Sequence, residues 1–128
     1  MGWKAGDYCR VDYKSGTYVA RFVEKAANSP RAVVQIVAVL EHPYQGDLHN
    51  PYETNVPLFH ERKAAAFGEQ VLIPLGLLER YDGAIPDYHD SLQQAYKQLY
   101  AMMQARGDDY GARSLERLDE LASTYGFT

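Results

Sequence analysis

The sequence lacks several features that common enzymes and membrane proteins require. It has one cysteine, Cys9, so no intramolecular disulfide can form, and a lone thiol fits a reducing compartment. It has no His-Glu-x-x-His pair, no paired cysteines and no glycine-rich phosphate loop. Its longest apolar run, 32–40, is interrupted by Gln35 and is too short to span a bilayer. We therefore expect no membrane-inserted segment and none of these standard catalytic signatures.

The N-terminal residues predict a cytoplasmic location. Residues 1–8 lack the apolar core of a signal peptide. Cys9 follows Asp7 and Tyr8, which does not look like a lipoprotein cleavage site.

Basic residues are also too few and too scattered for nucleic acid. Residues 1–80 contain nine Lys and Arg and nine Asp and Glu. Residues 81–128 contain four Lys and Arg but eight Asp and Glu, which gives the net charge of −4. A nucleic-acid binder needs clustered Lys and Arg to displace the counterions of the phosphates. The charge pattern therefore predicts a partner other than nucleic acid.

The first half of the chain reads as strands. Two strands flank a turn at 14–16, where Gly16 is expected to take a positive φ. The segment 31–41 is almost entirely apolar, which predicts a central strand covered on both faces. The full set of predicted strands is 7–13, 17–25, 31–41, 58–67 and 70–73, followed by a helical turn at 75–78.

The second half predicts two helices. Asp87, with Asp90 as a competitor, can cap the first, and Gly107 suits its C-terminal end. The second runs from Asp108 or Asp109 to about residue 125, before Gly126. The predicted apolar stripes are Tyr88, Leu92, Ala95, Tyr96, Leu99, Met102 and Met103 in the first helix, and Leu115, Leu118, Leu121, Ala122 and Tyr125 in the second.

These elements predict an α+β protein. About five short antiparallel strands favour a small SH3-like barrel, because closure hides the sheet edges. The short link between the helices predicts an antiparallel hairpin packed on the barrel. We expect residues 1–80 to form the barrel and 84–128 the hairpin, in one compact unit.

The strongest candidate site is the stretch 42–57, with Phe59, His60, Glu61 and Arg62 beyond it. Three prolines, a glycine, two histidines and two asparagines leave it without periodicity, and loops of this length are usually functional or disordered. One interpretation is a metal site that uses His42, Asp47, His49 and His60, with Glu61 also a suitable ligand type. The other is structural, with Asp47 and Asn50 bonding to the loop backbone. The ligand spacing matches no standard signature.

No nucleophile stands out. Cys9 lies on a predicted strand with no base beside it, and no serine has a nucleophile-elbow context. Asp108 and Asp109 fall at a helix start, where they complement the dipole. The sequence therefore predicts a non-catalytic protein with no catalytic residues, no cofactor and no assigned metal ligands.

Three segments carry a resemblance to a known family. Residues 40–51 read LEHPYQGDLHNP, residues 56–64 read VPLFHERKA, and residues 85–88 read IPDY, with Ser91 and Leu92 following. The chain resembles kinase-associated protein B, a small family of spore-forming Bacillus-type bacteria. The family has no catalytic residues to carry over, and a lipid anchor, if its members use one, has no signal here.

The resemblance implies an accessory protein of a membrane sensor histidine kinase that feeds the sporulation phosphorelay. Without the resemblance, the residues support only a binding module. The alternative functions are a metal-dependent enzyme and a peptide-binding barrel. Localisation would then be cytoplasmic, with the membrane reached through the kinase. The predicted partner-binding residues are His42, Tyr44, Asp47, His49, Asn50, Phe59, His60, Glu61 and Arg62.

Overall fold

The structure, a computed structural model, describes residues 2–127. Within these residues it has five strands, a short 3₁₀ helix and two α-helices, so the predicted α+β class is confirmed. In chain order the elements are β1 Tyr8–Tyr13, β2 Gly16–Lys25, β3 Arg31–Glu41, β4 Gln70–Pro74, the 3₁₀ helix Leu75–Leu77, β5 Glu79–Arg80, α1 Tyr88–Arg106 and α2 Asp109–Tyr125.

All the strand pairs are antiparallel, and the strands lie side by side in the order β4-β3-β2-β1-β5. The sheet is compatible with an SH3-like arrangement, but the barrel is not closed, because no ladder joins β4 to β5 within residues 2–127. The prediction that β3 is the central strand is wrong. β2 holds the middle position, and one face of β3 is only half-buried. Its apolar run reflects an interior strand whose outer face stays partly open.

The prediction of a strand at 58–67 is also wrong. The fifth strand of the sheet is β5, which pairs with β1. The segment is irregular because side chains, and not a neighbouring strand, satisfy its backbone. The Ala64 N–H donates to the Tyr125 hydroxyl at 2.9 Å, and the Ala65 N–H donates to the Tyr18 hydroxyl at 3.0 Å. An extended sequence pattern cannot distinguish these partners from a strand ladder.

The turn between β1 and β2 differs from its prediction. Lys14 and Ser15 take the positive φ values, 48° and 68°, as the two central residues of a tight hairpin turn. Gly16 already belongs to β2, and a Cβ atom there would lie 2.5 Å from the Tyr18 hydroxyl oxygen. Glycine is therefore needed at this position for space.

The helix ends follow the sequence. The Asp87 carboxylate accepts the Asp90 N–H, and the Asp108 carboxylate accepts the Gly111 N–H, so both predicted caps are confirmed. Gly107 and Gly126 end the helices in the left-handed conformation. One stripe residue was misassigned, because Met102 is 49% exposed.

Buried side chains form two clusters. The sheet core lies under the strands, and the hairpin core lies between α1, α2 and the loop that follows β3. Ser91 of α1 joins helix to sheet, because its hydroxyl accepts the backbone N–H of Val39 in β3 at 2.9 Å. The sheet core comprises Cys9, Val11, Tyr18, Ala20, Phe22, Ala32, Val34, Ile36, Val39, Ala64, Ala65, Val71, Ile73, Leu78, Leu92 and Ala95. The hairpin core comprises Phe59, Tyr96, Leu99, Met103, Tyr110, Leu118 and Leu121.

Candidate functional site: the loop between β3 and β4

Residues 42–69 connect β3 to β4, and two parts of this loop lie side by side. The Gly46 N–H donates to the His60 carbonyl at 2.8 Å, and the Arg62 Nε donates to the Gly46 carbonyl at 2.9 Å. We call residues 43–46 with 59–62 the neck, and residues 47–58 the tip. The hydrogen bonds across the neck hold the base of the tip at a fixed width.

Gln45 closes the neck with its side chain. Its Oε1 accepts the Arg62 N–H at 2.8 Å, and its Nε2 donates to the carbonyls of Arg62 at 2.9 Å and Pro43 at 3.0 Å. Only 3% of the residue is exposed. A buried amide with these partners replaces a strand ladder. Gln45 was not among the predicted site residues, because the backbone groups that its side chain binds at Arg62 are distant in the sequence.

Tyrosine hydroxyls from three other elements bind the same loop. The Tyr110 hydroxyl of α2 donates to the Gln45 carbonyl at 2.9 Å. The Ala65 backbone is held from both sides, since its N–H donates to Tyr18 of β2 and its carbonyl accepts from Tyr88 of α1 at 2.6 Å. Burial raises the pKa of Tyr18 to about 12, so the hydroxyl stays neutral. Several of the eleven tyrosines therefore act as loop anchors.

His42 is one of the most deeply buried groups of the loop, at 2% exposure. Its Nδ1 lies 2.9 Å from the Pro43 carbonyl, which can only accept, so Nδ1 carries the proton. Burial lowers the pKa of His42 to about 4, so the ring is neutral and Nε2 accepts from the Tyr125 hydroxyl at 2.8 Å. The Tyr125 oxygen in turn accepts the Ala64 N–H. His42 thus connects the end of β3 to the end of α2.

Phe59 fills the space behind the neck and is 4% exposed. Gly46 has a φ of +100°, and a Cβ atom there would lie 2.8 Å from the Phe59 ring. Both the backbone angle and the close approach require glycine at this position. The Phe59 ring also meets Tyr110 edge-on, with centroids 5.9 Å apart, so its role is packing.

The tip is built around Asp47. One carboxylate oxygen accepts the His49 N–H at 2.9 Å, and the other accepts the Asn50 side-chain amide at 3.0 Å. The His49 N–H bond, followed by the Asn50 bond, lowers the pKa of Asp47. The predicted bond to the loop backbone is confirmed for Asp47, whereas the Asn50 side chain bonds to the Asp47 carboxylate instead.

The nine predicted site residues therefore fall into three groups. His42 and Phe59 are buried, and Tyr44, Asp47 and Arg62 are half-buried, whereas the others face solvent. Within residues 2–127 no three His, Cys, Asp or Glu side chains come together as a metal site would require. The alternative set His42, Asp47, His49 and His60 is therefore not assembled, because both His42 nitrogens bind protein groups. The exposed residues of the nine are His49, Asn50, His60 and Glu61.

Cys9 has the surroundings of a structural thiol. It has no exposed surface and its Sγ lies 3.4 Å from the Ala20 carbonyl. Burial raises the pKa of Cys9 to about 11, so the reactive thiolate is disfavoured at neutral pH.

Comparison with known families identifies the arrangement. The sequence pattern of the family described as kinase associated protein B matches residues 13–126. The chain belongs to the kinase-associated protein B family. The suspected resemblance is thereby confirmed.

The chain is also similar to two individual members of this family. The protein named kinase-associated lipoprotein B from Bacillus subtilis (strain 168) is 42% identical over 123 residues, which cover 96% of this chain and 94% of the relative. The crystal structure of kinase-associated protein B from Bacillus cereus superposes with a TM-score of 0.81 at 30% identity. The similarity covers 98% of this chain and 100% of that one.

No helix within residues 2–127 is both long enough and apolar enough to cross a bilayer. The segments that carry the family resemblance cover the neck, parts of the tip and the start of α1, where Tyr88 donates to the Ala65 carbonyl of the loop.

Proposed function

We propose that this chain is a non-catalytic accessory protein that binds a sensor histidine kinase of the sporulation phosphorelay and supports its activity. The observation that carries the proposal is family membership over residues 13–126, together with a Bacillus subtilis relative named for its association with a kinase. The geometry supports a binding role, because buried hydrogen bonds hold the base of the loop while several of its side chains face solvent.

The contact surface in this proposal is the outer side of the loop. His49, Asn50, His60 and Glu61 are exposed, and the half-buried Tyr44, Asp47 and Arg62 border them. His42 and Phe59 have almost no surface for a partner, so their contribution is to hold the backbone beneath. A preformed surface binds without the cost of ordering a loop.

The test measures autophosphorylation of each purified sporulation sensor kinase of the organism, with and without this protein in excess. We expect a selective change in rate for one kinase, together with direct binding. If no kinase changes its rate and none binds, the proposal is wrong.

The surface assignment is tested with two charge reversals. Glu61→Arg changes the exposed side of the loop, and Glu24→Arg changes an exposed position on β2. Because both side chains face water, both variants should fold with little change in stability. We expect Glu61→Arg to weaken kinase binding and Glu24→Arg to leave it unchanged. Equal binding by both variants would remove the loop from the proposal.

We further propose that the protein is cytoplasmic and reaches the membrane through its kinase partner. Fractionation of cells with and without the bound kinase tests this. The protein should leave the membrane fraction when the kinase is deleted, and retention there would contradict the proposal.

A further inference from the structure

A pocket of about 330 Å³ opens beside the neck, between the β1–β2 turn, the tip and α2. Three tyrosine rings line it, from Tyr44, Tyr52 and Tyr110. The Tyr44 and Tyr52 ring centroids are 6.0 Å apart, and those of Tyr52 and Tyr110 are 5.3 Å apart, both with the rings steeply inclined to each other. Such a wall offers electron-rich ring faces, which attract cations.

The same rings already hold one guanidinium group. Arg106 lies 5.1 Å from the Tyr52 centroid and 5.0 Å from the Tyr110 centroid. Its charge is matched by Asp108, which accepts hydrogen bonds from Arg106 at 3.2 and 2.9 Å. The aromatic wall can therefore bind a planar cation. Arg106 itself adds little positive charge to the pocket, because Asp108 compensates it.

The lining is negative. Glu41 and Asp47 contribute carboxylates, and none of the described residues that line the pocket is Lys or Arg. The Glu41 carboxylate lies 3.7 Å from the Arg10 guanidinium, but both side chains are about half exposed, so solvent screens this ion pair and weakens it. Among residues 2–127, the hydrogen-bond donors to the Asp47 oxygens are uncharged, namely the His49 N–H and the Asn50 amide. The pocket therefore has a charge that is open to an incoming cation.

The walls are positioned in advance. The Tyr44 N–H donates to the Ser15 hydroxyl at 3.0 Å, and the Tyr110 hydroxyl is fixed to the Gln45 carbonyl. A ligand entering this pocket does not have to order these groups, which lowers the cost of binding.

We propose that this pocket binds a positively charged side chain, arginine or lysine, that the partner protein presents. The proposal rests on the proposed function only in assigning the side chain to the kinase. The pocket's preference for a cation is tested with small probes that need no kinase.

The test titrates the full protein with acetyl-arginine amide and with acetyl-citrulline amide, its uncharged isostere, and follows backbone amide shifts by NMR. We expect the arginine probe to shift signals of Glu41, Tyr44, Asp47 and Tyr52 saturably, with binding that weakens at high salt. The citrulline probe should bind about tenfold more weakly, as expected when charge and cation–π attraction are lost.

Two variants test the wall and the charge separately. Tyr52→Ala removes a ring that is 53% exposed, and Asp47→Asn removes a charge while keeping a carbonyl acceptor for the His49 N–H. Each substitution should weaken binding of the arginine probe about fivefold or more. Glu24→Gln, which removes an exposed charge on β2 outside the pocket lining, should leave binding unchanged. The NMR spectrum of each variant reports whether it is folded.

Equal binding of the two probes, or shifts that avoid the pocket, would overturn the inference. So would a neutral proline-rich peptide that occupies the pocket while the arginine probe does not. If the probe binds but the kinase does not, the pocket proposal stands and the proposed function fails. If the kinase binds while the probe does not, the proposed function stands and the pocket proposal fails.

Discussion

The two buried regions of the protein are built on different principles. The sheet core is held mainly by apolar side chains that alternate along the strands, such as Val34 and Ile36, which have no exposed surface. Around the hairpin core, aromatic residues also carry hydrogen bonds. Tyr96 donates to the Leu118 carbonyl at 2.6 Å, and Tyr110 donates to the Gln45 carbonyl. The first arrangement depends on burial, and the second depends on direction as well.

The comparison explains where a functional loop is placed. Apolar contacts tolerate small shifts, whereas hydrogen bonds to fixed hydroxyls define the backbone position of the loop. The neck lies against the hairpin core, so its contacts with α1 and α2 fix the position of the tip. Variants that disrupt one region and spare the other test this difference.

The largest effect is expected from truncating one side chain in each core. Ile36→Ala and Leu118→Ala should each lower the free energy of unfolding by roughly 4 kcal/mol, because both leave cavities at fully buried positions. Urea unfolding should be followed through the fluorescence of Trp3, which stacks on Phe22, and through helical circular dichroism.

If residues 2–127 form one compact unit, the two signals change together in both variants. Separate transitions in Leu118→Ala would instead show that the helical hairpin unfolds independently of the sheet.

Acid should act through the loop region. The pKa of His42 is about 4 in the folded protein against an ordinary 6.5, so the unfolded chain takes up the proton first. Stability that is complete above about pH 6.5 is therefore lost as the pH falls, and the loss reaches about 3 kcal/mol near pH 4. Urea titrations across this range measure the effect.

His42→Asn should remove most of this pH dependence, at a cost in stability at neutral pH. His49→Asn, a change at an exposed histidine of the tip, should preserve it. An unchanged pH dependence in His42→Asn would contradict the assignment.

Gln45→Met should loosen the neck with a smaller loss of roughly 2 kcal/mol, because the Arg62 N–H and carbonyl lose their partners. Amide hydrogen exchange should accelerate at Gly46 and Arg62 but not in the sheet. Gln94→Met, at an exposed position of α1, is the matched control. Faster exchange throughout the protein would mean that Gln45 supports the whole fold and not the neck alone.

The smallest effect is expected from Tyr110→Phe, which removes one hydroxyl and keeps the ring. The loss of its bond to the Gln45 carbonyl should cost about 1 kcal/mol. Tyr52→Phe, which removes a hydroxyl from an exposed ring, should cost almost nothing. Equal stabilities of the two variants, measured by urea unfolding, would show that the hydroxyl of Tyr110 does not anchor the loop.

The sequence was sufficient for the features that depend on local patterns. Strand-favouring residues and turn signals located β1, β2 and β4, and the caps Asp87, Asp108, Gly107 and Gly126 located both helices. Each of these signals lies within a few residues of its effect. The resemblance to the family was also readable, since its characteristic segments are contiguous.

What the sequence did not reveal depends on distant partners. The segment 58–67 has an extended pattern, yet its backbone bonds to Tyr18 and Tyr125, which are far away in the chain. The role of Gln45 was not readable from the sequence, because its side-chain amide binds the backbone of Arg62 on the other side of the neck. His42 and Phe59 were predicted to bind a partner on account of their residue types, and only the fold shows that they are buried.

The bond between His42 and Tyr125 joins residues that are 83 positions apart, and Tyr125 is the last residue of α2. During synthesis the sheet strands leave the ribosome well before this tyrosine does, so the loop emerges without one of its main anchors. Contacts of such long range form late in folding, since they wait for the intervening chain. The loop should therefore become protease-resistant only after α2 has been synthesised, so an ordered loop indicates that the helical hairpin is in place.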